Sequence, residues 1–165
     1  MQDGPETAQR HGAPRLAYQD QHTRLTLREG LAEYLGSNPD LIDTAQASST
    51  AMAEYFANHD ASHVVFGTST AIADELVQDI WTLIAIDIRY RDYVGDLVKA
   101  KEGLEVAAAL PVWGTLKGFL TLLRALPRLI LRARAMPKKW PWAGWESYLD
   151  QPLTVTREEF GIRVL

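Results

Sequence analysis

The chain has 165 residues, 47% of them hydrophobic, a formal net charge of −4 and no cysteine. That length suits one domain with a core of its own, and the lack of cysteine excludes disulfide frameworks, thiolate zinc sites, thiol nucleophiles and iron–sulfur ligation. Any metal must be held by His, Asp or Glu.

Residues 1–15 mix Asp3 and Glu6 with Gly, Pro and Gln. They have neither the apolar core of a signal peptide nor the acid-free basic texture of a transit sequence, and are expected to be a disordered lead to a domain over 16–165. From Ala17 to Leu35, the residues Leu25, Leu27, Leu31, Tyr34 and Leu35 recur at roughly helical spacing until Gly36-Ser37-Asn38-Pro39 ends the pattern, which predicts a first helix. Asp40 to Thr44 can open a short second one. Ala51 to Asn58 places Met52, Tyr55 and Phe56 on one face and runs straight into His59. Gly67-Thr68-Ser69-Thr70 then breaks the pattern, and Thr70 or a hydroxyl neighbour is expected to cap the following helix. Asp74 and Glu75 fall in the first turns of that helix, near the positive end of its dipole.

This helix is expected to run from Ile72 to about Ala100, apolar nearly all round at Ile80, Trp81, Leu83, Ile84 and Ile86, so its middle belongs in the core. A further helical stretch begins near Gly103, is disturbed at Pro111 and Gly114, and resumes from Leu116 to Met136, with Pro127 as a kink or break. Pro137, Pro141 and Pro152, with Trp140, Trp142 and Trp145, mark an irregular tail, and Thr154 to Phe160 a last short helix. No repeat, hairpin dipeptide or long period-two run intervenes. The expected fold class is therefore all-α, a single-domain helical bundle with an irregular Trp/Pro-rich C-terminal segment. No apolar stretch reaches the ~20 residues of a spanning helix.

His59 and His63, four residues apart, fall on one helical face with Cβ atoms ~5–6 Å apart, a spacing that suits two ligands on one metal. Asp60 adds a carboxylate at the edge, as a direct ligand, through water, or as the acceptor that orients an imidazole. The break at Gly67 to Thr70 lets the chain reverse and return Glu75 towards the histidines, with Asp79 one turn beyond as an outer partner. Two imidazoles with one or two carboxylates suit zinc, iron or manganese better than calcium and leave positions open. A pair of ordinary histidines near a helix end fits the same spacing.

Residues 106–145 contain seven basic side chains and no acid. Within Leu116 to Met136, Lys117, Thr121, Arg124, Arg128 and Arg132 form one polar stripe against a wide face of Leu, Phe and Ile. This describes either a basic amphipathic helix lying on an anionic membrane surface or a packed helix whose arginines face water. The three tail tryptophans fit an interfacial belt and a closed core equally. No nucleic-acid-binding motif accompanies the basic residues.

His59-Asp60-Ala61-Ser62-His63, then Gly67, then Glu75 with eleven residues between it and His63, resembles the HDxxH-x11-E signature of the ubiquinone-biosynthesis family known as coenzyme Q biosynthesis protein four. Trp145-Glu146, Pro152-Leu153, Arg157 and Gly161-Ile162 are similar to that family's closing motif, while Asp74, Thr156 and Phe160 depart from its usual Gly, Val and Leu. The resemblance implies a divalent metal, zinc foremost and iron or manganese next, on His59, Asp60, His63 and Glu75, with Glu75 and His59 as the catalytic candidates. It implies a polyprenylated benzoate or quinone precursor as ligand, with oxidative decarboxylation of the ring as the associated reaction. Its alternative is a non-catalytic lipid-binding scaffold that organises other quinone-biosynthesis proteins at the membrane, and a homodimer is compatible with both. The expected location is cytoplasmic and peripheral to a bacterial membrane, or an organellar inner-membrane face in a eukaryote. A phosphohydrolase of the HD type would need a further upstream histidine, His11 or His22, and ranks last.

Overall fold

The computed structural model describes residues 15–39, 41, 49–88 and 112–165, with the side chains of 112–119 and 121 outside that description. Among them are five α-helices and one two-residue parallel strand pair, so the all-α expectation holds. Helix α1 spans Leu27–Ser37 and not the whole stretch from Ala17. The Thr26 hydroxyl accepts from the Glu29 N–H while the Glu29 carboxylate accepts from the Thr26 N–H, a reciprocal cap that fixes the start of the helix. Ala17–Gln19 forms a 3₁₀ turn instead, tied to α1 through Glu33, which accepts from the N–H groups of Ala17 and Tyr18.

Helix α2 spans Thr50–Phe66 and is capped by the Ser49 hydroxyl on the Met52 N–H. Gly30 lets α1 approach it closely, because an added Cβ there would stand 2.7 Å from Val64 Cγ1. Helix α3 spans Ile72–Ala85 and stops well short of Ala100. The β-branched run around Ile84, Ile86 and Ile88 favours extended backbone, and Ile86–Asp87 pairs in parallel with Trp140–Pro141. The remainder of the expected helix and the expected onset near Gly103 lie outside the described residues, as does most of Asp40 to Thr44.

Helix α4, Val112–Ala135, runs continuously through Gly114 and Pro127, so neither residue ends it; the expected disturbance at Pro111 lies outside the described residues. Pro127 cannot donate to the Leu123 carbonyl, but both residues are exposed, which leaves that carbonyl open to solvent hydrogen bonding. Helix α4 packs most extensively on α3 and buries Leu129, with Leu122, Ala125 and Ala133 beside the core. Helix α5, Leu153–Phe160, closes the fold. Trp140 and Trp145 are buried and Trp142 half-buried. Trp140 meets Phe160 and Tyr148 at 5.1 and 5.4 Å, so the tail tryptophans close the core.

Candidate metal centre

His59 and His63 lie one turn apart on α2, and Glu75 lies in the first turn of α3. The two imidazole centroids are 4.6 Å apart at 71°, as i, i+4 positions on one face allow. Gly67 makes the reversal that brings Glu75 back. Its φ is 71°, a left-handed conformation that glycine adopts without strain, and an added Cβ would also meet Val164 Cγ1 at 2.8 Å. The N–H groups of Gly67 and Thr68 both close on the His63 carbonyl.

The entry to α3 differs from the expected hydroxyl cap. Ala71 occupies the cap position without a side-chain bond, and the Asp74 carboxylate reaches back to accept from the Ser69 N–H and hydroxyl at 2.9 and 2.6 Å. Thr70 donates to Asn38 instead. This anchored turn leaves one ligand atom from each of His59, His63 and Glu75 within 4.8 Å of the others.

His63 is fully buried. Its Nδ1 lies 2.9 Å from the Thr68 hydroxyl oxygen, and that hydroxyl donates to Gln78 Oε1 at 2.8 Å. Its Nε2 makes no hydrogen bond and stands 3.4 Å from a Glu75 carboxylate oxygen. A buried nitrogen left without a partner is costly. A cation held between it, the carboxylate and the second imidazole would satisfy it. Enclosure and the neighbouring His63 push His59 down to about 3, so its imidazole is neutral, the form that ligates. Enclosure raises the Glu75 carboxyl, but the His63 imidazole 3.4 Å away outweighs it and holds the group below its ordinary value.

Asp60 is buried beside the centre and is not one of the three converging groups. Asp60 instead interacts electrostatically with Tyr34, whose ring stacks on His63 at 5.4 Å and 21°. Burial raises the Asp60 carboxyl to about 7. Asp79 also stands outside the group. His22 is exposed and lines a surface cavity of about 370 Å³ with Thr154, Glu158 and Arg163, apart from the three site residues. His11 lies outside the described residues.

Tyr34, Thr68 and Gln78 complete the surroundings of His63, and sequence reasoning did not assign them to it. Tyr34 reads as core in the first helix and Thr68 as part of a break. Gln78 carried a usable signal, since a polar residue three positions after Glu75 shares its helical face. Arg157 gained no role from its place in the closing motif. It is fully buried and donates to the carbonyls of Val64, Val65, Tyr18 and Asp20 at 2.6–2.9 Å, fastening α5 to the C-terminal end of α2 where its charge suits the dipole. Burial lowers it to about 10, which leaves it charged at neutral pH.

Two imidazoles and one carboxylate make a three-ligand set that keeps a coordination position for water or substrate. Compared with family models, curated proteins and solved structures, the chain matches none.

Proposed function

We propose that this chain is a metal-dependent protein of quinone biosynthesis, binding a divalent metal through His59, His63 and Glu75 and a polyprenylated benzoate or quinone intermediate beside it. The observation that carries the metal reading is the buried, unpartnered His63 Nε2 facing Glu75. The donor set favours zinc, with iron or manganese next. The substrate class rests on the motif residues His59, Asp60, His63 and Glu75 and on the closing motif around Arg157. When bound, the metal supplies a Lewis acid able to hold a ring carboxylate. Glu75 and His59 are the ligands nearest solvent, while Tyr34 and Asp60 brace the buried face of His63.

The surface of α4 supports attachment to an anionic membrane surface. Leu120, Leu123 and Leu131 are exposed, Leu131 at 66%, on the same side as the exposed Arg124, Arg128 and Arg134. No helix among the described residues is long and apolar enough to cross a membrane.

Metal analysis tests the central reading. The purified protein should bind about one zinc per chain, and His63→Ala should lower that affinity ~10-fold or more, as losing a ligand should cost at least what outer-shell losses do. Equal metal content in the wild type and a His59→Ala/His63→Ala variant would remove the site. Mass spectrometry of co-purified lipid tests the substrate class. Complementation of a quinone-deficient strain by ligand-replaced protein would favour the scaffold role, with other biosynthetic proteins as partners.

A further inference from the structure

We infer that Thr68 and Gln78 form a positioning relay that decides which nitrogen of His63 carries hydrogen, leaving Nε2 as a bare lone pair aimed at Glu75 and His59. The purpose of the relay rests on the metal reading, but its geometry stands apart from it. A hydroxyl has one proton to donate, and a carboxamide oxygen has none. With Thr68 Oγ1 2.8 Å from Gln78 Oε1, that proton goes to Gln78. The 2.9 Å contact between Thr68 Oγ1 and His63 Nδ1 then requires the hydrogen on Nδ1.

All three residues are buried, so water does not compete for these bonds. Thr68 is held at both ends of its backbone. Its N–H donates to the His63 carbonyl at 3.0 Å, and its carbonyl accepts from the Tyr18 hydroxyl at 2.9 Å. Gln78 follows Glu75 by three residues on α3, so one helix brings both the carboxylate that faces Nε2 and the amide that orients the ring from behind.

The orientation of the Gln78 amide is decisive. Turned over, its NH₂ would donate to Thr68, the hydroxyl would donate to Nδ1, and the hydrogen would move to Nε2, where it would block the ligand position. The Gln78 Nε2 makes no hydrogen bond of its own, so nothing beyond Thr68 ties the amide down, and the His63 tautomer reports its state directly.

The test is long-range proton–nitrogen correlation on ¹⁵N-labelled, metal-free protein, about two pH units above the ordinary imidazole value, with zinc titration of the same samples. Wild type and Thr68→Ser should show His63 protonated on Nδ1. Thr68→Val should lose that preference and bind zinc ~10-fold more weakly or worse. Gln78→Met frees the hydroxyl to donate to Nδ1, so the hydrogen should shift to Nε2. A wild-type His63 protonated on Nε2, or a tautomer unchanged in both Thr68→Val and Gln78→Met, would overturn the relay. The expected tautomers without zinc binding in any sample would uphold the relay and remove the metal reading. Zinc binding with the wrong tautomer would do the reverse.

Discussion

Asp60 keeps its proton up to about pH 7 in the folded protein and loses it near 3.8 once unfolded. Folding takes up a proton between those values, so the stability linked to protonated Asp60 is complete below about pH 4 and is lost as the pH rises through 7. His59 has the opposite sign, since its folded value of about 3 lies below the unfolded 6.5, and its contribution is lost as the pH falls through that interval. Asp60→Asn keeps the shape of the side chain and removes the titration. In chelator-treated protein it should therefore lose less stability than wild type between about pH 5 and pH 8; parallel melting curves across that range would place the charge elsewhere. Glu75→Gln addresses the metal instead. The side chain is more than a third exposed, so stability in metal-free buffer should stay within about 0.5 kcal/mol of wild type. Zinc binding and rescue of a quinone-deficient strain should both fail, and full rescue would take Glu75 out of the site.

At the scale of the elements, the centre depends on the turn between α2 and α3. Gly67→Ala places a side chain in the left-handed region, at a cost of about 1–2 kcal/mol, and against Val164. The melting temperature should fall by about 2–4 °C for each kcal/mol lost. Zinc affinity should fall with it, because the same turn seats Thr68 behind His63. Gly36→Ala is the control, with open space around its Cβ, and should leave zinc affinity unchanged. The apolar pattern located α2 and α5 in the sequence to within a residue of their starts. The end of α3 was not legible there, because Ile84 to Ile88 satisfies a buried helix and a buried strand alike. The partner backbone at Trp140–Pro141, more than fifty residues later in the chain, resolves the choice.

For the whole molecule, the basic residues of α4 divide into two sets. Arg132 donates to the carbonyls of Arg163 and Val164 at 3.3 and 2.8 Å and fastens the C-terminal end, whereas Arg124, Arg128 and Arg134 are exposed beside Leu120, Leu123 and Leu131. Replacing Arg124, Arg128 and Arg134 with Glu should abolish sedimentation with anionic liposomes, as each basic group near such a surface contributes ~1 kcal/mol. Salt should weaken wild-type binding. Sedimentation unchanged in the folded triple variant would count against this face.

The sequence by itself determined the helical class, the i, i+4 histidine pair and the glycine that ends its helix, since helical periodicity and the left-handed cap are local properties of the chain. It also supplied Glu75 as the acid most able to return to that pair. What Asp60 does, which face of α4 meets solvent and where the tail tryptophans go were decided only by the tertiary structure. The same holds for the order of protons from Gln78 through Thr68 to His63. Each depends on groups meeting out of water, as Tyr34 stacks on His63 and Arg157 closes on the end of α2. In a buried setting the available partner, and not the residue type, selects among the roles that a carboxylate, an indole or an imidazole can take.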